Sequence, residues 1–206
     1  MKIVILGYSG LIGSSILNKL AKNNSLDLIC IGRDIKNKSS INSKIKYFSW
    51  DFLTFKKVNL FFLKGADIII NCIGKMDNNH YDLEYANVSF IRNLLKYIKI
   101  YQSKTRLIHL SSVAVYEKSK KNIGQYKVIS ENSGIKSTDL YSRSKLKGDM
   151  LIQNVIKKNL NKNFSYTILR ISNVFSEKKK SNLVKFVNFS LKSCFWAKCH
   201  NDIVFN

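Results

Sequence analysis

The stretch Lys2-Ile3-Val4-Ile5-Leu6-Gly7-Tyr8-Ser9-Gly10-Leu11-Ile12-Gly13 decides the fold. A short apolar run ends in three glycines, and a helical pattern follows at once. That order lets a strand turn tightly into a helix whose N-terminus faces a phosphate. Glycine lets the backbone approach a ligand, while the first-turn N–H groups and the helix dipole favour negative charge. Gly7, Gly10, Leu11, Ile12 and Gly13 are therefore the expected cradle of a nucleotide cofactor.

Outward from this turn, apolar strand-like runs alternate with helical segments, the pattern of a parallel sheet with crossover helices. The runs predict strands near Lys2–Gly7, Leu26–Gly32, Lys46–Trp50, Asp67–Ile73, Arg106–Ser111 and Ser165–Ile171. Helices are expected over Leu11–Asn23, Tyr81–Gln102 and Tyr141–Asn159, with a shorter one over Phe55–Leu63. Tyr116–Asp139, rich in Lys, Ser and Asn, reads as a long loop. Leu183–Trp196 is an amphipathic stretch, read as a core-facing helix rather than a membrane-surface one. The expected fold is an α/β doubly wound parallel sheet. The chain has no proline, so the usual punctuation of element ends is missing.

Composition narrows the partners. The 206 residues suffice for one large domain with a proper core, and 45% are hydrophobic. No apolar run approaches the length of a membrane span, and the glycine turn interrupts the N-terminal apolar segment before it could serve as a signal peptide. A cytoplasmic protein without a membrane partner is the expectation. The formal net charge is +22, but 30 of the 35 basic residues are Lys, spread along the whole chain. Base-edge readout leans on Arg. The charge reads as a solvated basic surface that attracts anionic small molecules, with no nucleic-acid partner. Cys30, Cys72, Cys194 and Cys199 fall at no zinc or redox spacing, so no metal is expected.

Polar residues close successive strands. Gly32-Arg33-Asp34 follows the second, about where the ribose of a dinucleotide lies. Arg33 can hold a 2′-phosphate, which leans the reading mildly toward NADP, while Asp34 could still reach a ribose hydroxyl. Asp51 closes the third strand, Asn71-Cys72-Ile73-Gly74 the fourth, and Ser111-Ser112-Val113-Ala114-Val115-Tyr116 the fifth. Such groups converge on the crevice at the carboxyl ends of a parallel sheet. Tyr141-Ser142-Arg143-Ser144-Lys145 then places a phenol and an ammonium four apart on one helix face. Chance supplies such spacings in a lysine-rich chain, and Tyr116–Lys120 is read as one. Lowering a tyrosine to near neutrality takes about 4 kcal/mol of differential stabilisation, which a nearby ammonium and a cationic nicotinamide can supply.

With these pieces in order, the chain resembles the extended short-chain dehydrogenase/reductases of the NAD-dependent epimerase/dehydratase family, which act mostly on nucleotide-sugars. The resemblance rests on GYSGLIG, Asp51, NCIG, the segment Asn87–Leu95, SSVAVY, YSRSK and LRISNVF, and covers residues 2–175. It implies that Ser112 polarises the substrate, that Tyr141 is the acid/base, and that Lys145 binds the ribose and tunes Tyr141. It also implies that Asp51 contacts adenine, that Cys72, Ile73 and Gly74 line an NAD(P) site, and that Asn173 lies near nicotinamide or substrate. Residues 1–175 would form the Rossmann-like NAD(P)-binding domain. Residues 176–206 would be the remnant of a substrate-binding lobe, reduced or missing here as in a chain truncated at its C-terminus.

Three departures bear on the reaction. Val113-Ala114 stand where dehydratases of the family carry Asp-Glu, which argues against dehydration. Glu117 replaces a glycine, and Phe175-Ser176-Glu177 replaces Tyr-Gly-Pro. The resemblance therefore implies hydride-transfer epimerisation or reduction of a nucleotide-sugar, with a homodimer as one possible assembly. A cofactor-binding protein without turnover is the alternative.

Overall fold

The computed structural model describes residues 1–33, 44–49, 61–76, 79–101, 104–117, 128–157, 164–172 and 174. Asp34, Asp51, Asn173, Lys120 and the stretch Leu183–Trp196 lie outside these. The chain divides into two compact units, Met1–Ser172 and Asn173–Asn206, and the first carries every described strand and helix.

Six strands, β1 (Lys2–Leu6), β2 (Asp27–Gly32), β3 (Ile45–Ser49), β4 (Ile68–Asn71), β5 (Thr105–Ser112) and β6 (Phe164–Ile171), form one sheet in the order β3-β2-β1-β4-β5-β6. Every pairing is parallel. This is the doubly wound Rossmann-like arrangement, whose strand order reverses between β1 and β4 and opens the ligand crevice there.

Sequence explains why β1 sits at the centre. Ile3, Val4, Ile5 and Leu6 are apolar without alternation, as a strand covered on both faces requires. Ile3 and Ile5 join Leu28, Cys30 and Ile70 under α1 (Leu11–Leu20), whose Leu17 completes that layer. Val4 and Leu6 face the opposite layer, where Ile91, Leu94 and Ile98 of α3 (Phe90–Tyr101) and Ile152 of α4 (Leu140–Lys157) pack with Leu107 and Phe164.

The expected strands appear within a residue or two of their predicted ends. The helices need correction. The first stops at Leu20, short of Asn23. The segment expected as one helix over Tyr81–Gln102 is three pieces: α2 (His80–Glu84), a π-helical turn (Tyr85–Ser89) and α3. The π turn swings Asn87 inward, where it is 1% exposed. There Oδ1 accepts from Lys75 N at 3.1 Å, and Nδ2 donates to Lys75 O at 3.1 Å and to Ser144 Oγ at 2.9 Å. Such one-turn insertions exchange one ladder bond for a re-aimed side chain. Of the short helix expected over Phe55–Leu63, only Phe61–Leu63 is described, as a single 3-10 turn. The predicted loop Tyr116–Asp139 is not free of structure, because Tyr116 bridges Ile135 in antiparallel fashion and Lys136 N donates to Val115 O at 3.1 Å.

The turn after β1 is built by close approach. Gly7 has φ of +80°, a conformation side chains other than glycine's resist. A Cβ on Gly13 would collide with the backbone carbonyl of Gly7 and come within 2.9 Å of Tyr8 Cα. Gly13→Ala therefore lowers stability by about 1–3 kcal/mol, as overpacking against immovable backbone does. Ser15→Ala, on the exposed face of α1, changes it by less than about 0.5 kcal/mol. Chemical unfolding of the two variants side by side measures the contrast, and equal stabilities would contradict it.

Candidate active site

The carboxyl ends of β1, β4 and β5 meet at the switch point. After β1, Gly7 N donates to Ile31 O at 2.7 Å and Gly10 N to Gly7 O at 3.0 Å, folding the loop back over the sheet. Gly10 is the N-cap of α1 and offers no capping side chain, so the first-turn N–H groups of Leu11, Ile12 and Gly13 lack the usual side-chain acceptor. That end of α1 suits a phosphate. Gly7 abuts Cys72 and Ile73, since a Cβ on it would lie 3.2 Å from the backbone of both. The loops after β1 and β4 thus form one floor.

Each strand end is held by its own side chains. Asn71 Oδ1 accepts from Ile73 N at 3.0 Å and fixes the turn carrying Cys72, Ile73 and Gly74. Burial pushes the Cys72 thiol up to about 12, so it sits there as a neutral, unreactive group. Arg33 is exposed at the end of β2, and its carbonyl accepts from Ser49 Oγ of β3 at 2.7 Å. Ser112 closes β5, and its Oγ accepts from Ala114 N at 3.2 Å as the N-cap of a 3-10 turn.

Two turns of α4 complete the group. Asp139 caps the helix, accepting from Ser142 N at 2.8 Å. Tyr141 is half-buried. Burial pushes its phenol above the ordinary tyrosine value, the nearby Ser112 hydroxyl opposes the rise, and the Asp139 charge adds to it. The phenol therefore keeps its proton at neutral pH. Lys145 is 6% exposed; its Nζ donates to Leu110 O at 3.1 Å and lies over Gly74, where a Cβ would come within 2.7 Å of it. Burial lowers this ammonium to about 8, with Asp149 and Cys72 opposing the shift. Ser112, Tyr141, Lys145, the glycine turn and Cys72–Gly74 thus share one edge of the sheet.

A second polar layer lies beneath them, and nothing in the motif spacing announced it. His109, in mid-β5, is fully buried, and its Nδ1 meets Asn71 Nδ2 at 3.1 Å. Because Asn71 Oδ1 is engaged by Ile73 N, the amide must donate through Nδ2, so His109 Nδ1 accepts and the ring proton sits on Nε2. Arg170 of β6 bonds Asp149 Oδ2 through Nε at 3.1 Å and Tyr116 Oη through Nη1 at 3.1 Å. A lone titratable residue inside an apolar strand carries no sequence signal. Asp149 shares a helix face with Lys145, but that spacing alone marks no role.

Comparisons with known proteins bear on the family and the fold. The chain matches the NAD dependent epimerase/dehydratase family over residues 3–191. It belongs to that family. It is 29% identical over 185 residues to a protein of Methanocaldococcus jannaschii named "Putative UDP-glucose 4-epimerase", covering 86% of this chain and 57% of that one. Among solved structures it resembles the UDP-glucuronic acid 4-epimerase of Bacillus cereus in complex with NAD, with a TM-score of 0.70, 23% identity, and coverage of 87% of this chain and 59% of that one. It also resembles MoeE5 in complex with UDP-glucose and NAD, with a TM-score of 0.76, 17% identity, and coverage of 94% and 62% respectively. The chain thus spans about six-tenths of the length of these relatives.

Burial lowers His109 from 6.5 to about 3. Between those values the unfolded chain binds a proton that the folded chain does not. Stability therefore falls as pH drops through this window, by about 1.4 kcal/mol per pH unit from this group alone. Urea unfolding across the window should show a shallower acid loss for His109→Gln than for wild type. Parallel curves would contradict a neutral buried ring.

Proposed function

We propose that this chain is an NAD(P)-dependent epimerase or reductase of a nucleotide-sugar, of the extended short-chain dehydrogenase/reductase type, with Ser112, Tyr141 and Lys145 as its catalytic group. The observation that carries the reading is a juxtaposition at one edge of the sheet. The Ser112 hydroxyl at the end of β5, the half-buried Tyr141 phenol on α4 and an ammonium over Gly74 stand beside a glycine turn that leaves a helix N-terminus without a side-chain cap. Relatives that hold NAD and UDP-sugars support it.

The glycine turn fits the pyrophosphate of a dinucleotide, since side chains at Gly7 or Gly13 would fill the cradle. Lys145 and the Cys72–Gly74 floor would hold the ribose and nicotinamide end, and Arg33, exposed beyond β2, would meet a 2′-phosphate and favour NADP. A nicotinamide dinucleotide, when bound, supplies hydride exchange with a sugar carbon. Ser112 polarises the sugar oxygen by donating its hydroxyl proton. Tyr141 holds the transferable proton, and the Lys145 ammonium, one helical turn away, stabilises the phenolate as that proton leaves. Asn173 is proposed on the substrate side and Asp51 near adenine. Residues 1–175 are proposed as the cofactor-binding domain of a protein that works in the cytoplasm.

The test uses the purified chain with NAD or NADP and a panel of UDP-sugars. Wild-type protein should interconvert or reduce one of them, and Tyr141→Phe should lose at least ~100-fold in turnover while still binding NADH. Turnover of Tyr141→Phe at the wild-type rate would overturn the catalytic assignment. NADH binding by wild type with no turnover on any UDP-sugar would favour a binding protein instead. Arg33→Ala should weaken NADPH more than NADH; equal weakening would overturn the lean toward NADP.

A further inference from the structure

The polar layer beneath the site contains a buried carboxylate paired with a guanidinium. Asp149 is fully buried, and on α4 it follows Lys145 by one turn, on the same helix face. Its Oδ2 is anchored by Arg170 at 3.1 Å, and the guanidinium is itself fixed between Tyr116 Oη and the Tyr116 ring, 4.9 Å from the ring centroid. Its Oδ1 has no hydrogen-bond partner among the described residues. His109 Nε2 approaches Oδ1 only to 3.9 Å, and the ring is neutral. Burial raises the Asp149 carboxyl above its ordinary value, and the Ser111 hydroxyl (outside hydrogen-bond geometry), Arg170 and Lys145 oppose the rise.

An unbonded oxygen of a buried carboxylate is costly unless a positive charge stands near. Arg170 neutralises one side. The other cation at hand is Lys145, which the same helix carries and which has lost nearly all contact with water. We propose that Asp149 acts on the cofactor site through Lys145: anchored by Arg170 from β6 and one helical turn from Lys145, its buried carboxylate keeps that ammonium charged where Leu110 O holds it. The inference rests on the reading of Lys145 as part of that site.

The groups that face Lys145 from each packed element are mostly uncharged. From the β4 end comes Cys72, a neutral thiol; from β5, neutral His109; from the π turn, uncharged Asn87. On α4 itself stand Tyr141, which keeps its proton, and Asp149. Glu84 of α2 is engaged by Lys147 at 3.0 Å, and on β6 Arg170 is spent on Asp149. Among these described neighbours, Asp149 alone brings a negative charge to Lys145. Arg170 ties that charge to the far edge of the sheet, so β6, which carries none of the three catalytic side chains, acts on the site through it.

Nuclear magnetic resonance of the full chain, with lysines labelled with carbon-13 at Cε and Lys145 assigned by Lys145→Arg, reads its ionisation directly and needs neither substrate nor turnover. The proposed reaction can therefore fail without touching this result. In wild type the Lys145 resonance should titrate at about 8. In Asp149→Asn the midpoint should fall by about one pH unit or more, the effect of removing an adjacent opposite charge. An unchanged midpoint in the folded variant would overturn the proposal. Should Asp149→Asn fail to fold, the wild-type Asp149 Cγ resonance decides. A carboxylate ionised at neutral pH is the expected result, and a protonated one overturns the proposal.

Discussion

The approach of α1 to the carbonyl of Gly7 is the constraint on which the molecule's chemistry depends. It is possible only because Gly13 has no side chain, and it brings the first turn of the helix against the end of the central strand. That strand is buried on both faces by Ile3, Val4, Ile5 and Leu6, so the turn has a rigid floor. Parallel pairing of β4 on one side of β1 and β2 on the other then sets the height of every other strand end. Ser112 and the Cys72–Gly74 loop are placed by register and by the local turns that follow their strands. Tyr141 and Lys145 are placed by the packing of α4 on the same layer.

Above that floor the site trades solvation for position. Tyr141 and Lys145 are both drawn out of water, and burial shifts each toward its neutral form. The phenol gains a proton-holding role at neutral pH. The ammonium stays charged because negative and dipolar groups lie within the same buried layer. The Asn71–His109 pair and the Asp149–Arg170 pair sit directly under the functional edge, where buried polar groups are tolerated only when each has a partner or a compensating charge.

Much of this was legible in the sequence. The six strands could be located because parallel strands covered on both faces are uniformly apolar and polar residues close them. The glycine turn, Ser112, Tyr141 and Lys145 could be singled out as candidates by residue type and interval, and the fold brings them to one edge of the sheet. The π turn was not, since Tyr85–Ser89 preserves the apolar face of the helices on either side and only the inward turn of Asn87 betrays it. In sequence the Tyr116–Lys120 spacing reads as chance; the Tyr116 phenol proves to be buried and to hold Arg170. His109 and Asp149 were invisible for a related reason. Their roles arise from contacts between elements far apart in the chain, which periodicity within one element cannot report.

The central claim, that the glycine turn is the cradle of a nicotinamide dinucleotide, is tested most directly at Gly10. This residue is exposed, has ordinary extended geometry, and would place a Cβ no closer than 3.3 Å to Gly7 O. A methyl group there leaves the fold in place but stands at the helix N-terminus where a phosphate must come. Fluorescence titration with NADH should give saturable binding to wild type and binding weakened about tenfold or more in Gly10→Ala, a loss of about 1.4 kcal/mol. Equal affinity in the two proteins, or no saturable binding to wild type, would contradict the account.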